Sequence, residues 1–157
     1  MKTLVLCLGN DLIADDAVGI AAARQLRDRV GDLADVEESA VSGAALLEIF
    51  LDYERAVIVD AIHTHRHPPG TILKLRPGDL GQVAAPSPHY AGLPELIVMA
   101  EQMELSFPKE IVIFAMEIED SLTIGGEMTA PIRQALPQLV EQVVDQLKQW
   151  EADFSGV

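Results

Sequence analysis

Three short stretches of this chain are apolar at every position rather than at every second one, and that property restricts the fold more than any other. Thr3-Leu-Val-Leu-Cys-Leu8 stops at Gly9-Asn10, Ala56-Val-Ile-Val-Asp60 stops at a carboxylate, and Ile111-Val-Ile-Phe-Ala-Met116 is uninterrupted. A strand that is apolar on both sides of its pleat must be covered on both faces, the usual condition of a parallel strand inside an α/β sheet. The segments between these runs have the character of the covering helices.

Asp15 and Asp16 stand ahead of Val18, Ile20, Ala21, Leu26 and Val30 at helical spacing, with Gly31 beyond. This predicts a helix over 16–30 whose acids complement its N-terminal dipole. Asp35 to Val41 reads as a weaker strand and Ala44 to Leu51 as a helix entered through Ser42 and Gly43. Thr71 to Leu75, bounded by Pro68-Pro69-Gly70 and Pro77-Gly78, reads as a fourth strand. The loop before it is too short for a crossover helix, so it is expected to run antiparallel to its neighbour. Gly78 to Ala91 reads as loop and Leu93 to Met103 as a helix with Pro94 in its first turn. Ala130 to Trp150 is a long amphipathic closing helix, with Pro131 early and Pro137 a point of bending. The fold expected over residues 1–157 is one domain: a three-layer α/β sandwich around a five-stranded mixed, mostly parallel sheet with helices on both faces.

Charge narrows the function classes. Eleven Lys and Arg against 25 Asp and Glu give a net charge of −14, which repels phosphate backbones and anionic lipid alike, so neither nucleic acid nor a membrane is an expected partner. Apolar stretches fall well short of a membrane span, no cleavage signal opens the chain, and Cys7 is a lone cysteine inside a strand. Those features fit a reducing, cytoplasmic setting and an inert core thiol. No GxGxxG or Walker sequence occurs and Gly19 falls inside a helix, so no organic cofactor is expected.

In such sheets ligands gather beyond the carboxyl ends of the parallel strands. Asp15 and Asp16 follow the first strand, Asp60 ends the third, and His89 lies in Ser87-Pro-His-Tyr90 just before a helix. Two carboxylates and an imidazole would form an open site for Ni, Zn or Fe with positions left for an outside ligand. The plainer reading makes Asp15 and Asp16 helix-end acids, Asp60 a solvated strand end and His89 a loop histidine. Asp60 carries the sharper signal, because an acid after four apolar residues needs a partner to offset its desolvation. His63, His65 and His67 alternate with Thr64 and Arg66, so in an extended chain all three imidazoles face one way as a secondary candidate metal site. Ser39, Ser42, Ser87 and Ser121 lie outside any G-x-S-x-G nucleophile sequence.

Taken together, Leu8-Gly-Asn10 with Asp15-Asp-Ala-Val-Gly19, Val57-Ile-Val-Asp-Ala-Ile62, Pro69-Gly-Thr71, Ser87-Pro-His89 with Gly92-Leu93, and Phe107-Pro108 ahead of the fifth strand resemble the hydrogenase maturation endopeptidases. The resemblance implies a cytoplasmic peptidase that removes a C-terminal extension from the precursor of the large subunit of a [NiFe] hydrogenase after nickel insertion. It implies a metal-contacting trio at Asp16, Asp60 and His89, reading nickel that the substrate presents. These are residues that the strand-end argument selects without the family. One departure stands out: where many relatives carry an Asp-Gly-Gly-Thr-like segment, this chain reads Glu37-Glu-Ser-Ala-Val-Ser-Gly-Ala44, and Ala40 takes the place of the acid. Glu37, Glu38 or Ser39 would then substitute, or that acid is dispensable, or the chain has drifted from proteolysis. The catalytic group is left unassigned among Asp16, Asp60 and His89, as is the oligomeric state. Two other functions compete: a non-catalytic metal-binding or metal-delivery module, and a phospho-acceptor receiver domain. The latter lacks acids directly at the end of the first strand and a Lys after the last, where Glu117 stands.

Overall fold

The computed structural model describes residues 2–82, 87 and 89–155. Its sheet contains β1 (Thr3–Leu8), β2 (Asp35–Ser39), β3 (Arg55–Ile62), β4 (Ile72–Leu75) and β5 (Glu110–Glu117), in the order β2-β1-β3-β5-β4. All neighbours are parallel except β4, which runs antiparallel to β5. The short fourth strand therefore pairs as expected in direction, but with β5 rather than with the strand that precedes it.

The four α-helices are α1 (Val18–Val30), α2 (Leu46–Phe50), α3 (Leu93–Gln102) and α4 (Ala130–Ser155). Strand side chains alternate between two cores because successive residues point to opposite faces. Val5, Cys7, Val57, Val59, Val112 and Phe114 pack with Leu26 of α1 and Val143 and Leu147 of α4. Leu4, Leu6, Leu8, Ile58 and Ile113 pack with Leu46 and Phe50 of α2 and with Leu93 and Leu96 of α3. Full burial of each such side chain contributes about 1.5–3 kcal/mol, which explains why the central strands are apolar throughout. α1 ends at Gly31 with Arg27 and Arg29 in its last turn, where cations meet the negative end of the helix dipole.

Two boundaries differ from the sequence reading in ways that matter. The closing helix continues past Trp150 to Ser155 and carries Pro137 inside it. More importantly, Asp60 does not end β3: Asp60, Ala61 and Ile62 still pair with Ala115, Met116 and Glu117 of β5. On the other side, pairing with β1 stops at Cys7 and Val59. Asp60 thus sits one residue beyond the point where β3 loses one neighbour while keeping the other. Among the described residues, no helix is long and apolar enough to cross a membrane.

Candidate functional site

β1 leads through α1 to β2 on one side of the sheet, whereas β3 pairs with β5 on the other, so a crevice opens between the carboxyl ends of β1 and β3. Two glycines bring the next segment hard against it. A β-carbon on Gly19 would lie 2.1 Å from the Leu8 carbonyl oxygen and 3.2 Å from that of Val59, and one on Gly9 would lie 2.4 Å from the Asp16 carbonyl oxygen. Glycine alone permits these approaches. The turn Asp15–Ala17 is consequently seated at the mouth of the crevice, with Asp16 Oδ2 accepting the Asn10 amide at 3.1 Å.

Asp60 is fully buried, and each of its oxygens has a partner. Oδ1 accepts the Ala61 amide at 2.8 Å; Oδ2 accepts His89 Nδ1 at 2.8 Å and the Ser87 hydroxyl at 2.5 Å. Burial raises the Asp60 carboxyl above its ordinary range, against the pull of His89, Ser87 and the Ala61 amide. The Asp60 hydrogen bond in turn raises His89, and the charge of Asp16 adds to that rise. The 2.8 Å contact accounts for the rise on His89, whose ring still reaches solvent. Tyr90, packed beneath with its hydroxyl buried, is likewise pushed up by desolvation.

Of the predicted trio, Asp60 and His89 are in direct contact, whereas Asp16 is linked to His89 only through its charge. Among the described residues, His89 Nε2 and Asp16 Oδ1 accept no hydrogen bond, whereas both oxygens of Asp60 are engaged. Among those same residues, no three His, Cys, Asp or Glu side chains stand as a ready-made metal cage. The arrangement is an imidazole clamped from behind by a carboxylate, the device by which proteins orient metal-ligating histidines.

Asp15 has the opposite role to its neighbour. It is fully buried and accepts the amides of Thr129 (2.7 Å), Asp120 (2.8 Å) and Glu119 (3.1 Å) together with the Thr129 hydroxyl (2.9 Å). Its own amide donates to the Asp120 carbonyl at 3.0 Å. Asp15 is thus a clamp between the turn after β1 and the loop joining β5 to α4, rather than a helix-end acid. Glu117, also buried, accepts the Thr64 amide at 2.8 Å and the Thr64 hydroxyl.

The histidine row does not adopt the extended geometry that would align it. His65 has φ +61°, its ring stacks 4.1 Å from that of His63, and His63 Nδ1 contacts the Ser121 hydroxyl at 3.1 Å. His67 is exposed beyond the bend, so the chain turns away before three imidazoles can share one side. After β2, Glu38 pairs with Arg27 at 2.5 Å and Ser39 Oγ accepts the Val41 amide at 3.2 Å. Ala40 is exposed, three residues before the Gly43 amide that donates to the His89 carbonyl at 3.2 Å. This loop therefore borders the site through its backbone. Cys7 is buried in β1, and desolvation pushes its thiol up to about 12, as befits an inert core residue.

Sequence reasoning passed over two residues that the geometry makes prominent. Ser87 enters the sequence reading as a nucleophile and as part of the Ser87-Pro-His89 segment, not as a partner of Asp60, although a serine hydroxyl bonding the backbone two residues on is a familiar local pattern. Asp15 gave no signal of burial beyond its place beside Asp16.

Comparison with known proteins places this geometry in context. A family model described as hydrogenase maturation protease matches residues 23–146. The hydrogenase 2 maturation protease of Escherichia coli (strain K12) is 28% identical over 153 residues, covering 95% of this chain and 92% of that protein. The hydrogenase expression/formation protein HupD of Rhizobium leguminosarum bv. viciae is 25% identical over 154 residues, covering 95% and 75%. Among solved structures, the hydrogenase maturating endopeptidase HybD from E. coli superposes with a TM-score of 0.79 at 27% identity, covering 95% of this chain and 93% of that one.

Proposed function

The chain belongs to the hydrogenase maturation protease family, and from that premise we propose that it is the endopeptidase that removes the C-terminal extension of a [NiFe] hydrogenase large-subunit precursor once nickel is in place. The observation that carries this reading is the clamped imidazole: His89 is held through Nδ1 by buried Asp60, which leaves Nε2 as the ring nitrogen for an outside ligand, within the field of Asp16. An imidazole nitrogen and a carboxylate oxygen suit divalent nickel. Nickel already held by the precursor's own ligands would gain further donors on docking, so the loaded precursor binds better than the empty one and metal loading is checked before cutting.

Within the trio, Asp16 and His89 offer donor atoms directly. Asp60 sets the ring, and reaches the metal itself only by releasing one of its present hydrogen bonds. Two side-chain nucleophiles are disfavoured: the Ser87 hydroxyl donates to Asp60, and Cys7 lies inside β1. Attack by water is the reading we adopt. The acid missing at Ala40 is consistent with this, since the loop that carries it contributes backbone contacts to His89. The reaction takes place in the cytoplasm, with nickel as part of the substrate.

The test is incubation of the purified protein with nickel-loaded and nickel-free precursor, following release of the C-terminal fragment. Cleavage confined to the loaded precursor supports the reading. Nickel transfer without cleavage of either form would instead favour a metal-delivery module.

A further inference from the structure

We propose that the free edge of β4, with the groove beside it, binds an extended acidic segment of the precursor as an added strand. The inference rests on the reading of the substrate above and deepens it, because it assigns a surface outside the crevice to holding the chain that is cut.

β4 is outermost in the sheet and is paired on one side only. The Thr71 carbonyl accepts the Glu117 amide at 2.8 Å, so by the alternation of an antiparallel ladder Leu73 and Leu75 turn their amides and carbonyls toward β5, whereas Ile72 and Lys74 turn theirs outward. Among the described residues, no turn or loop backbone bonds to Ile72 or Lys74. The free edge ends at Arg76, whose amide is taken by Asp79 Oδ2 at 2.8 Å. Unpaired edge groups of this kind are what an extended peptide uses to add a strand.

Charge selects which peptide. Residues 61–78 contain Arg66, Lys74 and Arg76 and no Asp or Glu, a local charge of +3 in a chain that totals −14. All three cations are exposed, and among the described residues none pairs with a carboxylate. A positive edge repels a second copy of itself and attracts an acidic strand. Beside the edge lies a groove of about 560 Å3, lined by Arg66 and His67 and by Leu73 and Leu75, which are half-buried against the core shared with α2 and α3. It can take the side chains on one face of an incoming strand. Position fits as well, since Leu73 pairs with Ala115 and Ala115 with Asp60. A strand added outside β4 would therefore run about 14 Å from Asp60, a gap that about four or five extended residues span.

The test separates the backbone ladder from the charge. In 15N spectra of the full chain, a synthetic peptide of alternating Glu and Val is expected to slow hydrogen exchange at the outward amides of Ile72 and Lys74 more than at Leu73 and Leu75, which already bond β5. By fluorescence anisotropy, the double variant Arg66→Glu, Lys74→Glu is expected to bind that peptide about 10-fold more weakly, and a peptide of alternating Lys and Val is expected not to bind. Lys74→Pro, which removes an outward amide and no bond to β5, is expected to weaken the acidic peptide as well. With nickel-loaded precursor, the double variant is expected to raise KM about 10-fold at unchanged kcat, as for residues that hold substrate away from the reacting bond. Equal binding of the acidic and basic peptides, unchanged exchange at Ile72 and Lys74 under saturating acidic peptide, or an unchanged KM in the double variant overturns the proposal. Should the double variant fail to fold, the exchange pattern of the wild-type chain decides. If the wild-type protein cuts no precursor at all, the functional reading fails, while the peptide titrations still decide whether the edge takes an acidic strand.

Discussion

Asp15 and Asp60 are both fully buried carboxylates at the carboxyl end of the same sheet, and they are stabilised in different ways. Asp15 receives only neutral donors, three amides and a hydroxyl, all from the segment between β5 and α4. Asp60 receives one amide, one hydroxyl and an imidazole that keeps access to solvent. The first arrangement leaves the carboxylate nothing to do but hold two loops together. The second makes it the fixed base of a histidine whose far nitrogen can meet a ligand. The difference between a structural and a functional buried acid thus lies in the partner: a rigid amide ends the chain of interactions, whereas an imidazole passes it on.

The largest effect that separates the two should come from Asp60→Asn and His89→Ala, which are expected to lower precursor processing by at least about 100-fold, beyond the usual range for an outer-shell partner. Far-ultraviolet circular dichroism should be unchanged. Asp15→Ala should act on stability instead. Stranding several buried donors at about 1–3 kcal/mol each predicts a loss of about 3 kcal/mol or more, which for a chain of this size lowers Tm by about 6–12 °C. Below that transition the variant should still process precursor. If Asp15→Ala abolished processing in a fully folded protein, or Asp60→Asn unfolded it, the contrast between the two acids would collapse.

That these neighbours in role are hard to tell apart from sequence has a physical cause. The strands themselves are legible, because burial on both faces is written as unbroken apolar runs, and the antiparallel β4 follows from the length of the loop before it. Asp60 is legible as well, since a carboxylate after four apolar residues must find a partner. Which way Asp15 and Asp16 turn is not: the partners that draw Asp15 inward lie more than a hundred residues away, at Glu119, Asp120 and Thr129. The end of β3 is misread for a related reason, since its last three residues are held by β5 alone. Alternating histidines suggest a common side only if the backbone is extended, and the positive φ of His65 breaks that condition.

A smaller effect sharpens the contrast through pH. His89 is raised above its ordinary value of 6.5 by the Asp60 hydrogen bond. The stability gained is complete below 6.5 and is lost as pH rises through the elevated value of the folded protein. The urea midpoint of the wild-type protein should therefore fall as pH rises through the His89 transition, and the difference from Asp60→Asn should narrow. A difference that widens toward alkaline pH would contradict the pairing. The smallest effect is expected from replacing His63, His65 and His67 together with Ala: weak binding of free Ni2+ measured by calorimetry should drop, with processing of loaded precursor unchanged.

The central claim is that His89 and Asp16 meet the nickel of a docked precursor, and X-ray absorption at the nickel edge tests it most directly. When the protein, in an inactive but folded variant such as Asp60→Asn and in the wild-type form trapped before cleavage, binds nickel-loaded precursor, the wild-type complex should gain imidazole and carboxylate scattering around nickel. The His89→Ala complex should lack the imidazole component. A nickel spectrum identical before and after the wild-type protein binds would contradict the account.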